Sequence, residues 1–118
     1  MELNAFTRAY IEAALWSSTN DDGEPLDDQY SMSNIAPESL ARMVADCTDF
    51  EAANAELLAN AGDDAQNGID FWLTRNRHGA GFWDRGYPAE IGRTLTDMAH
   101  GYGSCDLYIG DDGLIHAA

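Results

Sequence analysis

The sequence predicts a single α+β domain over residues 1–118: three N-terminal helices, a β-hairpin, a helix and a C-terminal β-hairpin. Apolar residues recur at helical spacing in three segments of the first sixty residues and again after Pro88. Short runs rich in aromatic and β-branched residues follow these segments and are separated by turns that contain glycine. A length of 118 residues fits one domain, so we expect helices packed on one side of a small antiparallel sheet.

The first predicted helix covers residues 4–16, where apolar residues follow a helical spacing and Asn4 is a suitable N-cap. Residues 17–34 then form a long polar connection that contains five acidic residues. A connection of this length in a small domain is usually functional or mobile.

Two further helices are predicted, over residues 37–47 and 48–61. Pro37 suits the first position of a helix, and an apolar stripe follows it at Leu40, Met43, Val44 and Cys47. Thr48 is predicted to begin the next helix with a capping box, and Gly62 is predicted to end it.

The segment FWLTRNRHGAGFWDRG, residues 71–86, is predicted to form most of the first β-hairpin. Its strands are expected over residues 70–75 and 81–85, with a turn at 76–79. The two Phe-Trp pairs supply aromatic residues, which are common in strands, and the glycines suit the turn.

The charges in this segment indicate which residues face each other across the predicted hairpin. One register pairs Asp70 with Arg85 and Trp72 with Trp83. A register shifted by one residue would place Asp70 opposite Asp84, and two like charges in that position are unfavourable. We therefore expect the first register.

Residues 88–103 are predicted to form the fourth helix, which begins at Pro88 and has an apolar stripe of Ile91, Leu95, Met98 and Tyr102. The last hairpin is expected from strands over residues 105–109 and 114–116. The sequence Asp111-Asp112-Gly113 between them is a strong hairpin-turn signal.

The chain is strongly acidic, with 21 Asp and Glu residues against six arginines and no lysine, so its net charge is −15. Residues 1–70 hold fifteen acids and two arginines, a charge of −13, whereas residues 71–118 hold six acids and four arginines, a charge of −2. Such a field repels nucleic acid and anionic lipid, and it attracts basic protein surfaces.

Three explanations fit the charge: solubility, adaptation to high salt, and imitation of the phosphate array of DNA. The uneven distribution favours imitation, because the other two would spread acids over the whole chain. The candidate partner-binding face contains acids from the polar connection and from the predicted helices: Asp21, Asp22, Glu24, Asp27, Asp28, Asp46, Asp49, Glu51, Glu56, Asp63 and Asp64.

An alternative site for an anion is formed by the cationic residues of the predicted first hairpin and a neighbouring acid: Arg75, Arg77, His78, Asp84 and Arg85. Guanidinium groups bind phosphate through paired hydrogen bonds, and a carboxylate can orient a histidine as a base. The glycines form neither a phosphate-binding loop nor a dinucleotide fingerprint, and no nucleophile has a spaced partner. Arg75 and Arg85 can equally pair with local acids, so the sequence favours a protein that is not an enzyme.

No metal site and no cofactor are predicted. The only cysteines are Cys47 and Cys105, which are not spaced as zinc ligands and are expected to be buried free thiols. The sequence has no long apolar run that would span a membrane, and its N-terminus does not resemble a secretory signal. We therefore expect a cytoplasmic protein.

The segments Asp70–Gly86 and Asp106–His116, with Leu95-Thr96 between them, resemble a family of small acidic proteins that bacteriophages and other mobile elements encode. The segment Phe6–Trp16 is also similar. This family has no settled activity, so the resemblance implies a setting, the cytoplasm of a bacterial host, rather than a chemistry. Small acidic phage proteins often occupy the DNA groove of a host protein, and the resemblance therefore favours an inhibitor.

These observations lead to one expected function and two alternatives. The expected function is a phage-type accessory protein that inhibits a host DNA-binding protein through an acidic, DNA-mimicking surface, without binding nucleic acid or a membrane. The expected target is a restriction or CRISPR effector, a topoisomerase, a polymerase or a repressor. The alternatives are a small phosphate- or nucleotide-binding enzyme and a structural interaction module, and the sequence leaves a homodimer open.

Overall fold

The computed structural model describes residues 2–118. Within them the chain forms five α-helices and one antiparallel sheet of two strands, which confirms the α+β class. The elements are α1 Ala5–Ser17, α2 Pro37–Ala53, α3 Ala55–Ala59, α4 Asp64–Arg75, α5 Ala89–His100, β1 Leu107–Ile109 and β2 Ile115–Ala117.

Helices α1 and α4 pack against each other more extensively than any other pair of elements. The predicted N-cap of α1 is confirmed, because the side-chain oxygen of Asn4 accepts a hydrogen bond from the backbone N–H of Thr7 at 2.8 Å. The two helices approach closely at Gly68, where a Cβ atom would lie 2.1 Å from the backbone oxygen of Phe6. Glycine at this position therefore sets the distance between the two central helices.

Aromatic rings from several elements form the centre of the core. The rings of Phe50 in α2 and Phe71 in α4 stack with centroids 4.1 Å apart, and Phe82 stacks on the Phe50 ring at 5.9 Å. In α1, Phe6 lies 6.1 Å from Phe71, and Tyr10 meets Trp72 edge-on at 5.4 Å. These side chains are buried, so they stabilise the fold by removing large apolar surfaces from water.

The predicted hairpin over residues 70–85 is wrong. Residues 70–75 are the last two turns of α4, and residues 81–85 contain a short 3-10 helix, Phe82–Asp84, instead of a strand. Helix α4 begins after Asp63, whose carboxylate accepts a hydrogen bond from the backbone N–H of Gln66 at 2.8 Å. All of residues 70–75 are buried, so this part of α4 lacks the polar face by which a helix is recognised in a sequence.

The pairing predicted across that hairpin is only partly right. Asp70 and Arg85 do form an ion pair, but a helix and a loop bring them together rather than two strands. The expected contact between Trp72 and Trp83 is wrong. The Trp72 side chain is buried and donates a hydrogen bond to the hydroxyl of Ser17 at 2.7 Å, whereas Trp83 is 57 % exposed.

The predicted boundary between helices at residues 47 and 48 is also wrong, because α2 continues through Thr48 without a cap. Cys47 and Phe50 are both fully buried and extend a single apolar stripe along the helix. The helix ends at Asn54, whose buried side-chain amide donates to the backbone oxygen of Phe50 at 3.0 Å. The short helix α3 follows it.

The polar connection over residues 17–34 is folded onto the domain. It contains two short 3-10 helices, Leu26–Asp28 and Met32–Asn34, and Leu26 is buried in the core. The side-chain oxygen of Asn20 accepts hydrogen bonds from the backbone N–H groups of Asp22 and Glu24 at 2.9 and 3.0 Å. Asp21, Asp22 and Glu24 therefore lie on a turn that Asn20 closes, whereas Asp27 and Asp28 lie on the first 3-10 helix.

The C-terminal hairpin is confirmed with slightly different bounds, and its sheet is covered on one edge. Strand β2 runs beside the start of α2, where the backbone N–H of Ala36 donates to the oxygen of Ile115 at 2.8 Å. The backbone N–H of Ala117 donates to the hydroxyl of Ser39 at 3.0 Å. Strand β1 pairs with β2 alone among the described strands.

The close approach of α1 and α4 makes Gly68 sensitive to substitution. Alanine is about 1 kcal/mol better than glycine within a helix, yet the added methyl in Gly68→Ala would overlap the Phe6 backbone. We expect a net loss of about 1–3 kcal/mol in the free energy of unfolding, measured by urea denaturation. The control Gly79→Ala has open space around the new methyl and should change stability by less than about 0.5 kcal/mol. Equal stability of both variants would contradict the close packing of α1 against α4 at Gly68.

Candidate functional site

The side chain of Arg75 is buried at the junction of three parts of the chain. Its Nη1 atom donates to the hydroxyl of Tyr10 in α1 at 3.0 Å and to the carboxylate of Asp46 in α2 at 2.8 Å. Its Nε and Nη2 atoms donate to the backbone oxygens of Gly103 and Tyr102, which follow α5, at 2.9 and 3.1 Å. The guanidinium therefore joins α4 to α1, α2 and the chain after α5.

The surroundings of Arg75 keep it charged although it is buried. Burial lowers the pKa of Arg75, but Tyr10 and Asp46 raise it, and the pKa ends above its ordinary value. The guanidinium also lies 5.7 Å from the centre of the Phe71 ring and 5.8 Å from that of Tyr102, within range of cation–π attraction. With four of its five N–H groups bonded to these partners, Arg75 stabilises the fold.

A second ion pair links α4 to the loop after it. The carboxylate of Asp70 is fully buried and accepts hydrogen bonds from Nε and Nη2 of Arg85 at 3.0 and 2.9 Å. The side-chain amide of Gln66 donates to the same carboxylate at 3.1 Å. Burial raises the pKa of Asp70, and the hydrogen bonds from Arg85 partly oppose this rise. Arg85 is thus bound to a buried acid, although its own side chain is 30 % exposed.

The residues predicted to form the alternative anion site are therefore not assembled into one site. Arg77, His78 and Asp84 are exposed, and none of the three forms an ion pair with another described residue. His78 lines a recess of about 340 Å³ with Asn76 and Ser17. The structure does not gather the predicted cations around one cavity.

The five acids of the polar connection are all exposed. Asp21 and Asp22 line one side of a groove, and Glu24 lies 3.4 Å from the side-chain amide of Asn20. No ion pair neutralises any of these five acids within residues 2–118: Asp21, Asp22, Glu24, Asp27 and Asp28.

Most of the acids predicted on the helices have a partner inside the fold. Asp46 binds Arg75, as described above, and Asp49 accepts a hydrogen bond from the hydroxyl of Tyr102. The side-chain amide of Asn4 donates to the carboxylate of Glu51 at 3.0 Å. Asp63 caps α4, and Glu56 and Asp64 are exposed.

The eleven predicted acids therefore fall into separate groups. Asp21 and Asp22 share the groove beside β1, whereas Glu51 and Asp64 line a recess of about 390 Å³ between α3 and the start of α4. Asp46 and Asp49 both lie near Tyr102. The acids of the polar connection are the group that has the fewest structural roles.

The groove beside β1 was not foreseen from the sequence. It measures about 460 Å³ and separates the turn at Asp21 and Asp22 from Leu107, Tyr108 and Ile109. Three consecutive apolar residues on a strand place apolar side chains on both of its faces. That pattern is the signal that would have indicated an exposed apolar surface here.

Other kinds of site are not found among the described residues. No group of three or more His, Cys, Asp or Glu side chains is arranged to hold a metal ion in residues 2–118. Across that same part of the chain, no helix has the length and apolarity needed to span a bilayer. Cys47 and Cys105 are buried free thiols, and burial raises the pKa of both.

Comparison with protein-family models, with curated proteins and with solved structures gave no match in any of the three cases. The function of this chain is therefore inferred from its contacts, charges and exposed residues.

The Asp70–Arg85 pair predicts a pH-dependent defect in Arg85→Met. At neutral pH this variant leaves a buried carboxylate without its cation, which we expect to lower the free energy of unfolding by about 2–4 kcal/mol. Loss of Arg85 raises the pKa of Asp70 further. A carboxyl whose pKa is raised by folding destabilises the fold above that pKa, and the penalty disappears as pH falls through it. The deficit should therefore shrink between pH 7 and about pH 5 in urea denaturation.

Arg93→Met is the matched control, because Arg93 is exposed on α5 and its replacement removes the same charge. We expect it to change stability by less than about 0.5 kcal/mol at either pH. A deficit in Arg85→Met that is no larger than in the control, or that grows on acidification, would contradict the assignment of Asp70 as its buried partner.

Proposed function

We propose that this chain is a phage-type accessory protein that inhibits a DNA-binding protein of the bacterial host by occupying its DNA-binding groove. The observation that carries the proposal is the set of exposed acids between residues 17 and 34, which no cation of the described chain neutralises. The partner would be a restriction or CRISPR effector, a topoisomerase, a polymerase or a repressor.

Charge supports this proposal because none of the described ion pairs includes an acid of the polar connection. Arg75 and Arg85 are paired with Asp46 and Asp70, and Nε2 of His116 lies 3.1 Å from the carboxylate of Asp112. The negative field of the polar connection therefore reaches solvent with little internal compensation. Such a field raises the association rate with a basic groove and makes binding depend strongly on salt.

The folded state of the polar connection supports the proposal as well. Asn20 closes a turn under Asp22 and Glu24, and buried Leu26 anchors the chain just beyond it. Acids held on a folded turn lose less conformational entropy on binding than acids on a flexible segment. This arrangement favours a surface that is ready to bind over a tail that only increases solubility.

The mechanism would be competitive exclusion of DNA. A groove that binds phosphates displays arginine and lysine side chains, and carboxylates can meet these cations in place of phosphates. The phosphate-binding alternative has less support, because Arg75 and Arg85 are paired with Asp46 and Asp70.

Neutralising the exposed acids of the polar connection tests the proposal. The variant Asp21→Asn/Asp22→Asn/Asp27→Asn/Asp28→Asn removes four charges from it. The control variant removes the same number of charges from exposed positions elsewhere: Asp84→Asn/Glu90→Gln/Asp97→Asn/Asp111→Asn. Each immobilised protein is incubated with nuclease-treated bacterial lysate at low salt, and bound proteins are eluted with increasing salt and identified.

We expect the native chain and the control variant to retain a DNA-binding protein that duplex DNA displaces, and the first variant to lose it. Removal of four contacts to cations should weaken capture by at least about tenfold at low salt. Recovery of no DNA-binding protein, capture that salt does not affect, or equal loss in both variants would contradict the proposal. Self-association with no other partner would instead indicate a structural module.

A further inference from the structure

The hydrogen bonds of the C-terminal hairpin show which peptide groups of β1 face β2. Asp106 and Ala118 exchange two backbone hydrogen bonds at 3.0 and 2.9 Å, and the N–H of Gly110 donates to the oxygen of Leu114 at 2.9 Å. Peptide groups alternate in direction along an antiparallel strand. Tyr108 lies midway between Asp106 and Gly110, so its N–H and C=O groups also point towards β2.

Leu107 and Ile109 consequently direct their N–H and C=O groups away from β2. No described backbone or side-chain group forms a hydrogen bond with either residue on that side. The outer edge of β2 is different, because the start of α2 covers it: the N–H of Ala36 donates to the oxygen of Ile115, and the hydroxyl of Ser39 accepts a hydrogen bond from the N–H of Ala117. The sheet therefore has one covered edge and one open edge, and an open edge is able to pair with another strand.

The open edge of β1 faces the groove described above rather than a flat surface. Tyr108 and Ile109 are 51 % and 38 % exposed at its rim, so apolar side chains accompany the open peptide groups. The opposite wall carries Asp21 and Asp22. The groove thus offers backbone partners on one side and carboxylates on the other.

We propose that the open edge of β1 binds an extended basic segment of a partner protein, which joins the sheet as a third strand. Its backbone would pair with Leu107 and Ile109, and its arginine or lysine side chains would reach Asp21 and Asp22. The charge of the groove indicates this occupant, because none of the described residues that line it is basic. This inference deepens the proposed function and rests on it for the identity of the partner as a basic host protein.

A second copy of this chain fits the groove poorly. Two chains that paired through their β1 edges would bring two sets of Asp21 and Asp22 close together, and each chain already carries a net charge of −15. Like charges at short range oppose such pairing. Strand addition by a basic segment meets no such repulsion.

The test uses the full-length, isotope-labelled chain and an acetylated octapeptide of alternating arginine and valine as the probe. Binding is followed by NMR at low salt. We expect the amide signals of Leu107 and Ile109 to shift most and to become protected from hydrogen exchange. A peptide of alternating glutamate and valine, and the basic peptide N-methylated at every residue, should each bind at least about tenfold more weakly, because they lack the charge or the backbone donors.

Two variants test the two walls of the groove. Asp21→Asn/Asp22→Asn should weaken binding by about fivefold at low salt, whereas the matched control Asp84→Asn/Asp97→Asn should not. Ile109→Pro removes an N–H that faces away from β2, so the hydrogen bonds of the hairpin remain and binding should be lost. Were this variant to unfold, the N-methylated peptide tests the same backbone contact on the intact protein.

Absence of binding by the basic peptide, equal binding of its N-methylated form, or signal shifts confined to residues outside the groove would overturn the inference. A concentration-dependent dimer that protects the amides of Leu107 and Ile109 would also overturn it, because the occupant would then be a second copy. These outcomes are distinct from failure of the proposed function. If the chain captures a DNA-binding protein but does not bind the peptide, the proposed acidic binding surface stands and only strand addition at β1 is rejected.

Discussion

The hydrogen bonds of the buried Arg75 guanidinium hold the other elements of the fold in place. It donates to Tyr10 on α1, to Asp46 on α2 and to the backbone after α5, and it extends from the end of α4. A buried charge is tolerated only when its donors are satisfied, and here each neighbouring element supplies an acceptor. The pairing thus fixes how four parts of the chain are placed around the aromatic core.

This arrangement places the guanidinium of Arg75 inside the fold, whereas the acids of the polar connection are exposed. The segment over residues 70–86 has the residue types of an active site, because it contains arginine, histidine and aromatic residues in an acidic protein. In the structure, four of its side chains are buried in the interior: Asp70, Trp72, Arg75 and Phe82. The acids on the folded turn before Leu26 are exposed, and Asp21 and Asp22 line the groove beside the open edge of β1.

Local signals predicted the elements that depend on local interactions. The N-cap at Asn4, the start of α2 at Pro37 and the turn that ends in Gly113 were all correct, because caps and turns act over a few residues. The second half of helix α4 was missed because residues 70–75 are all buried and lack an exposed polar face, and its aromatic residues favour strands when only sequence is considered. The pair Asp70–Arg85 was identified because opposite charges attract in either backbone arrangement. The contact of Arg75 with Asp46 and the open edge of β1 depend on residues distant in sequence, so the sequence alone did not predict them.

The most direct test of the claim that Arg75 organises the fold compares Arg75→Lys with Arg77→Lys. Both variants keep the charge, but lysine lacks the planar set of donors that reaches Tyr10, Asp46 and the backbone together. We expect Arg75→Lys to lose about 2–4 kcal/mol in the free energy of unfolding, and the exposed Arg77→Lys to change it by less than about 0.5 kcal/mol. Equal stability of the two variants in urea denaturation would contradict the organising role of Arg75.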